Sequence, residues 1–214
     1  MSLDTFGGIK AEVTARLARS DKAAVIPGFI QAAHSKMMKG HKRGRDWLIP
    51  PLRIDGMLTT TELTPSNGAA TLPDTYLQMK RLTTDTAGAR PLEYMPPEQF
   101  RASGLFTSSG VPQFYTIENR QLLIMPANTG VLSLYHYGLV TTPASDGDTN
   151  TIMETCPNAY LYGALAEAFA QIRNFEVAGY YEQEFAGAVS AANESEDLGQ
   201  ASGGLLVMRV GTPP

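Results

Sequence analysis

The chain has 214 residues, 43% of them hydrophobic, and a formal net charge of −4. That length and apolar share are enough for one globular core, or a core with an elaborated insertion. The acidic balance argues against general nucleic-acid affinity over the whole surface, and a single cysteine, Cys156, allows neither an intrachain disulfide nor a cysteine-based zinc site.

The opening MSLDTFGGIKAEV lacks the charged-then-apolar pattern of a signal peptide, and no apolar run approaches the ~20 residues a membrane span needs. The expected compartment is the cytoplasm, or a particle assembled there. On that expectation the acceptor triplet Asn193-Glu194-Ser195 is a chance match to a glycosylation site.

Phe6, Ile9, Val13 and Leu17 recur at spacings of three and four, which predicts a first helix with one apolar stripe. Arg19-Ser20-Asp21 interrupts it, and Ser20 or Asp21 can cap a second helix that carries Pro27 in its first turn. Phe29, Ile30, Ala33 and Met37 form the second stripe, ending near Gly40 to Gly44. Residues 1–46 are therefore read as N-terminal helices of a bundle.

Residues 47–150 read as an inserted antiparallel β-region. Leu58–Leu63 alternates and is rich in threonine, as a half-exposed strand is. Pro65-Ser66-Asn67-Gly68 is a turn. Tyr76–Thr83 and Arg90–Tyr94 are expected strands around the Thr86-Ala87-Gly88 turn, and Pro97–Ala102 a short helix. Phe114–Ile117 and Gln121–Met125 flank Glu118-Asn119-Arg120 as a hairpin. Val131–Tyr137 continues the meander, with Leu132, Leu134 and His136 on one face.

Residues 151–193 return to helix. Leu161, Leu165, Ala168 and Ile172 make one stripe, Arg173-Asn174 is a break, and Tyr181, Phe185, Ala188 and Ala192 continue as a second helix of an αα-hairpin. Residues 194–214 read as an extended C-terminal arm whose end carries Leu205, Leu206, Val207, Met208 and Val210, apolar groups that gain by docking. Helices, then strands, then helices make the fold class α+β.

Each chemical motif meets a plainer reading. Asp146, Asp148 and Asn150 alternate as in half a calcium loop, but Thr151 stands where glycine is needed and Pro157 where glutamate is needed. A polar loop capping the next helix is the better reading. His34 and His41, seven apart on one predicted helix, are too distant to share a metal, and His136 among aromatics reads as packing. Phosphate-loop and nucleophile-elbow patterns are missing, and Cys156 reads as a small buried thiol. Lys36, Lys39, His41, Lys42, Arg43 and Arg45 crowd the end of the second helix. They suit a helix C-terminus and solubility, or a patch facing phosphates or an acidic neighbour.

The order of the pieces resembles the head-to-tail adaptor (connector) proteins of tailed bacteriophages and gene transfer agents, over nearly the full length. IPGFIQAAHSKMMKGHKR is similar to that family's second helix, in which many relatives carry an acid about where His34 stands. TLPDTYLQMKRL is similar to its Leu-Pro turn leading into a strand. RPLEYMPPEQF, GVPQFYTIENRQLLIMP and VLSLYHYG resemble its strands, and TNTIMETCPNAYLYGALAEAFAQIRNFEVAGYYEQEFAGAV its terminal helix pair.

The resemblance implies a non-enzymatic ring protein without cofactor, metal or membrane. Such rings, commonly of twelve copies, stack beneath the portal protein in the virion neck after assembly in the host cytoplasm. They extend the channel for genomic DNA, which passes without sequence specificity, and present a platform to the next tail or nozzle protein. On this reading Lys36, Lys39, Lys42, Arg43 and Arg45 are candidate DNA-channel or partner contacts. Leu205, Leu206, Val207, Met208 and Val210 form a candidate portal-docking arm. Rivals are another neck or tail ring, a stopper or tail terminator, and a small phage-encoded hydrolase or nuclease, which would need a carboxylate cluster or an activated nucleophile.

Overall fold

The computed structural model describes residues 3–84, 90–103 and 110–201. The chain divides into two compact units. One is helical, built from the residues up to Asp55 together with those from Val140 onward. The other is Gly56–Leu139, inserted between them. The fold is α+β.

In the helical unit, α1 spans Phe6–Leu17 and buries the expected stripe of Phe6, Ile9, Val13 and Leu17. Thr5 caps it, its hydroxyl accepting from the Gly8 N–H at 3.2 Å. The second helix, α2, begins later than the cap residues suggest, at Ile26, and runs to Lys39. Ser20–Lys22 is instead a 3₁₀ turn, with Arg19 paired to Asp21 at 2.9 Å. The N-cap of α2 is Val25, without a side-chain cap, and Pro27 stands in the first turn. Its buried face is Ile26, Ile30, Ala33, His34, Met37 and Met38; Phe29 is only half-buried.

A hairpin absent from the sequence reading follows: β1, His41–Arg43, antiparallel to β2, Asp46–Ile49. After the insertion come α4, Thr151–Thr155, and α5, Pro157–Gln171. The last helix, α6, spans Phe175–Ala201. The break between α5 and α6 falls at Arg173-Asn174 as expected, but α6 runs on to Ala201 where an arm was expected from residue 194. Tertiary hydrogen bonds account for part of this extension. Asn193 accepts from the Arg53 N–H at 2.8 Å and donates to the Pro51 carbonyl at 3.1 Å, and Glu196 accepts from the Asp55 N–H at 2.9 Å.

Helix α5 is buried on nearly every side, by Ala159, Tyr160, Leu161, Gly163, Ala164, Leu165, Ala166 and Ala168. It packs against α1, α2, α4 and α6. Gly163 lies where these backbones come closest. A Cβ there would stand 2.7 Å from the Ala33 Cβ of α2 and 3.2 Å from the Phe185 ring of α6.

In the inserted unit the strands are β3, Leu58–Leu63; β4, Ala69–Thr71; β5, Tyr76–Thr84; β6, Glu93–Tyr94; β7, Phe114–Glu118; β8, Gln121–Met125; and β9, Leu132–Gly138. A short helix, α3, covers Pro97–Ala102. The expected single meander is instead two sheets, ordered β3-β9-β5 and β4-β8-β7-β6. The β7–β8 hairpin forms over Asn119 and Arg120, both at positive φ. Strand β9 then pairs with β3 and β5 rather than with β8. Strand β6 pairs with β7 in parallel, so the region is not wholly antiparallel and β6 is not the hairpin partner of β5.

The reason is burial. Leu63, Leu82, Leu132 and Leu134 of the first sheet share one core with Leu122 and Ile124 of the second, closed by Leu72 and Leu92. A flat meander would leave that face in water. Thr86–Gly88 lies outside the described residues.

Two substitutions test this packing. Gly163→Ala is expected to destabilise by roughly 1–2 kcal/mol in urea melts, because overpacking outweighs the gain in helix propensity. Thr116 of β7 is fully buried, and its hydroxyl has no partner among the described residues. Thr116→Val is therefore expected to raise stability by about 1 kcal/mol in the same assay.

Candidate interaction surfaces

The cations that the sequence places at the end of one helix are divided by the structure. Lys36 and Lys39 are in the last turn of α2. Lys36 is paired with Glu167 of α5 at 2.5 Å, so its charge is offset within the subunit, whereas Lys39 is exposed. Gly40 ends the helix at φ 70°, its N–H bonded to the Lys36 carbonyl at 2.7 Å. A Cβ at Gly40 would fall 2.4 Å from the Trp47 ring. Glycine thus both turns the chain and lets Trp47 lie over the helix end.

Lys42, Arg43 and Arg45 belong to the β1–β2 hairpin, in which residues 41–47 are all exposed. The Lys42 ammonium sits 4.3 Å above the Trp47 ring, a contact worth ~0.5–1 kcal/mol at an exposed site. Three cations and an aromatic on a short hairpin form a compact electropositive surface suited to phosphate or carboxylate. His41 is on β1, not on a helix with His34, which removes the face the two were expected to share.

A second surface was not legible as such. At the α5–α6 elbow, Phe175 is 70% exposed and Tyr180 57% exposed. Behind them Tyr181 stacks on Phe169 at 5.5 Å and meets Tyr180 edge-on at 5.3 Å. The periodicity assigns Tyr181 to the apolar stripe but does not reveal that its neighbours stay in solvent. Exposed aromatics of this kind suit a protein partner. Leu205, Leu206, Val207, Met208 and Val210 lie outside the described residues.

The aspartate loop caps helices. The Asp148 carboxylate accepts from the N–H groups of Ala144 and Ser145, each at 2.8 Å. The Ser145 and Ala144 bonds together hold its pKa below the usual range. The carbonyls of Asp148 and Asp146 take the N–H groups of Phe6 and Gly7 at 2.9 Å, satisfying the first turn of α1. A Cβ on Gly7 would stand 3.0 Å from Asp146, so glycine relieves crowding at this approach. Asp146 also pairs with Lys10 at 2.6 Å. Asn150 caps α4 by accepting from the Met153 N–H at 3.0 Å. Among the described residues no group of three His, Cys, Asp or Glu is placed to hold a metal ion.

Asn150 links this loop to a buried polar chain. Its amide donates to the Tyr160 hydroxyl at 2.9 Å, and that hydroxyl lies 2.6 Å from His34 Nδ1. The His34 and Tyr160 rings stack with centroids 5.9 Å apart. With His34 neutral, Tyr160 donates to Nδ1. Burial pushes the His34 pKa down, opposed by a contact with the Val140 backbone. Burial likewise pushes Tyr160 up. The position that the resemblance gives to an acid thus holds a neutral imidazole acting as acceptor, a role a carboxylate shares. Burial pushes the Cys156 thiol up to about 11, which leaves little thiolate at neutral pH. His136, fully buried in β9, bonds Thr61 at 3.1 Å.

The His34 chain has a pH signature. Its pKa in the fold lies below the ordinary 6.5, so the unfolded chain takes the proton first. Its stabilising contribution is full above about pH 6.5 and is lost as pH falls toward the folded value, with a slope of at most ~1.4 kcal/mol per pH unit. Urea midpoints between pH 8 and pH 5 are expected to fall in the native chain and to fall less steeply in His34→Gln.

Residues 4–208 match the family model described as SU10 adaptor protein. No curated protein matches the chain.

Proposed function

The chain belongs to the SU10 adaptor protein family, and on that premise we propose that this phage adaptor is a structural head-to-tail connector. Copies of it form a ring beneath the portal protein in the virion neck, extend the DNA channel and present a platform to the next tail or nozzle protein. The observation that carries the reading is the extent of the family match, which takes in both units and not a fragment of one. No helix among the described residues is long and apolar enough to cross a membrane.

The surfaces support this reading in kind. A ring of identical subunits needs two unlike contact patches on each copy. The exposed aromatics at the α5–α6 elbow offer one of them, and the cationic β1–β2 hairpin is left for the channel. Lys42, Arg43 and Arg45, repeated around a ring, supply phosphate contacts without making an acidic subunit basic overall. Lys39 adds to them, while Lys36 is spent on Glu167. The apolar residues Leu205 to Val210 remain the proposed portal-docking arm.

Electron microscopy of particles assembled with and without the protein tests the role. Filled heads lacking it are expected to lose DNA and to fail to join tails; retained DNA and normal joining would refute the role. Lys42→Gln, Arg43→Gln and Arg45→Gln together should change stability by no more than about 0.5 kcal/mol, being surface changes. If the hairpin faces the channel, particles carrying this triple variant should show altered retention or release of DNA as salt is varied. Unchanged behaviour would move the hairpin to a protein contact.

A further inference from the structure

The helical unit holds a groove of about 370 Å³ among the N-terminus of α5, Ile54 and the C-terminal half of α6. Ile54, Cys156, Pro157, Ala188, Ala191 and Ala192 line it. The three alanines are on one face of α6, at spacings of three and four. Small side chains here leave a trough with an apolar strip between helices that are otherwise closely packed, bordered by Thr155, Asn158, Ser195 and Glu196.

We propose that this groove seats the chain's own C-terminal segment, Leu205 to Val210. Helix α6 ends its described course at Ala201. From Ala201 back to Ala188 is thirteen residues of helix, about 20 Å at 1.5 Å per residue. Ser202-Gly203-Gly204 would supply a reversal, and the six residues from Leu205 to Val210 would then span about 20 Å when extended. The segment is therefore long enough to return along α6 to the groove. Its LLVM run carries aliphatic side chains that match the alanine-lined trough.

Tethering favours the chain's own tail over that of a second copy. A short tether raises the local concentration of a segment to the millimolar range. A free second copy at micromolar concentration competes poorly with that. The seat does not depend on the adaptor reading. Only its consequence does: docking on a partner would exchange the tail out of the groove and release it for the partner's surface.

Cys156, the single cysteine of the chain, is a built-in reporter. In the full-length Met208→Cys variant at low micromolar concentration, mild oxidation at alkaline pH is expected to give an intrachain link between positions 156 and 208, identified by peptide mass. Links between chains would overturn the proposal in favour of a second copy, and no link would overturn the groove as the seat. As an independent measure, the full-length Leu206→Asp, Met208→Asp chain should alkylate Cys156 on the order of tenfold faster than the native chain, as for a seat open about a tenth of the time. An unchanged rate, with the circular dichroism spectrum intact, overturns it. If both measures fail while particles still need the protein to join tails, the groove assignment falls and the adaptor reading stands.

Discussion

The crossing of α2 and α6 over α5 at Gly163 is the constraint around which the helical unit is arranged. A helix that is apolar on nearly every side has to be enclosed, and α5 is enclosed by α1, α2, α4 and α6. Enclosure at this depth needs one point without a side chain, where the Ala33 methyl and the Phe185 ring close over the backbone. One turn away, Tyr160 carries the polar link that fixes rotation: its hydroxyl meets His34 of α2 and Asn150 at the start of α4. Van der Waals contact sets how near the helices come. The hydrogen-bonded chain sets which faces meet, because a slipped register would strand buried polar atoms.

The same unit has to tolerate a long insertion, since its two halves are separated by Gly56–Leu139. Both chain passages are fastened within the helical unit. On the way out, Asn193 and Glu196 of α6 hold the backbone of Pro51, Arg53 and Asp55. On the way back, the loop around Asp146 and Asp148 caps α1, and Asn150 caps α4. These polar residues invite a reading as ligands or catalysts, yet each has a structural partner. At these two passages polar chemistry maintains shape.

Much of the local structure was legible. Leu58–Leu63 and Pro97–Ala102 are a strand and a helix at the bounds their patterns imply. The α1 stripe is buried as spaced, the β7–β8 turn falls at Asn119-Arg120, and the α5–α6 elbow at Arg173-Asn174. The β1–β2 hairpin was not legible, because strands of three and four residues, with five of the seven exposed, are too short to show an alternation. As a result Lys42, Arg43 and Arg45 looked like part of a helix end. The division of the strands into two sheets was likewise hidden. Leu132 and Leu134 show which face of β9 is buried, but not that Leu63 and Leu82 are their neighbours.

By itself the sequence determined the type of most elements, the α+β order and the resemblance to phage adaptors, because periodicity, turn residues and the succession of motifs are local properties of the chain. The tertiary structure alone decided which cations stay exposed, that His34 is a buried acceptor for Tyr160, and that α6 continues past residue 193 to hold the segment around Arg53. Each of these depends on a partner more than a hundred residues away. Only folding, which weighs the burial of one side chain against the desolvation of another, brings such partners together.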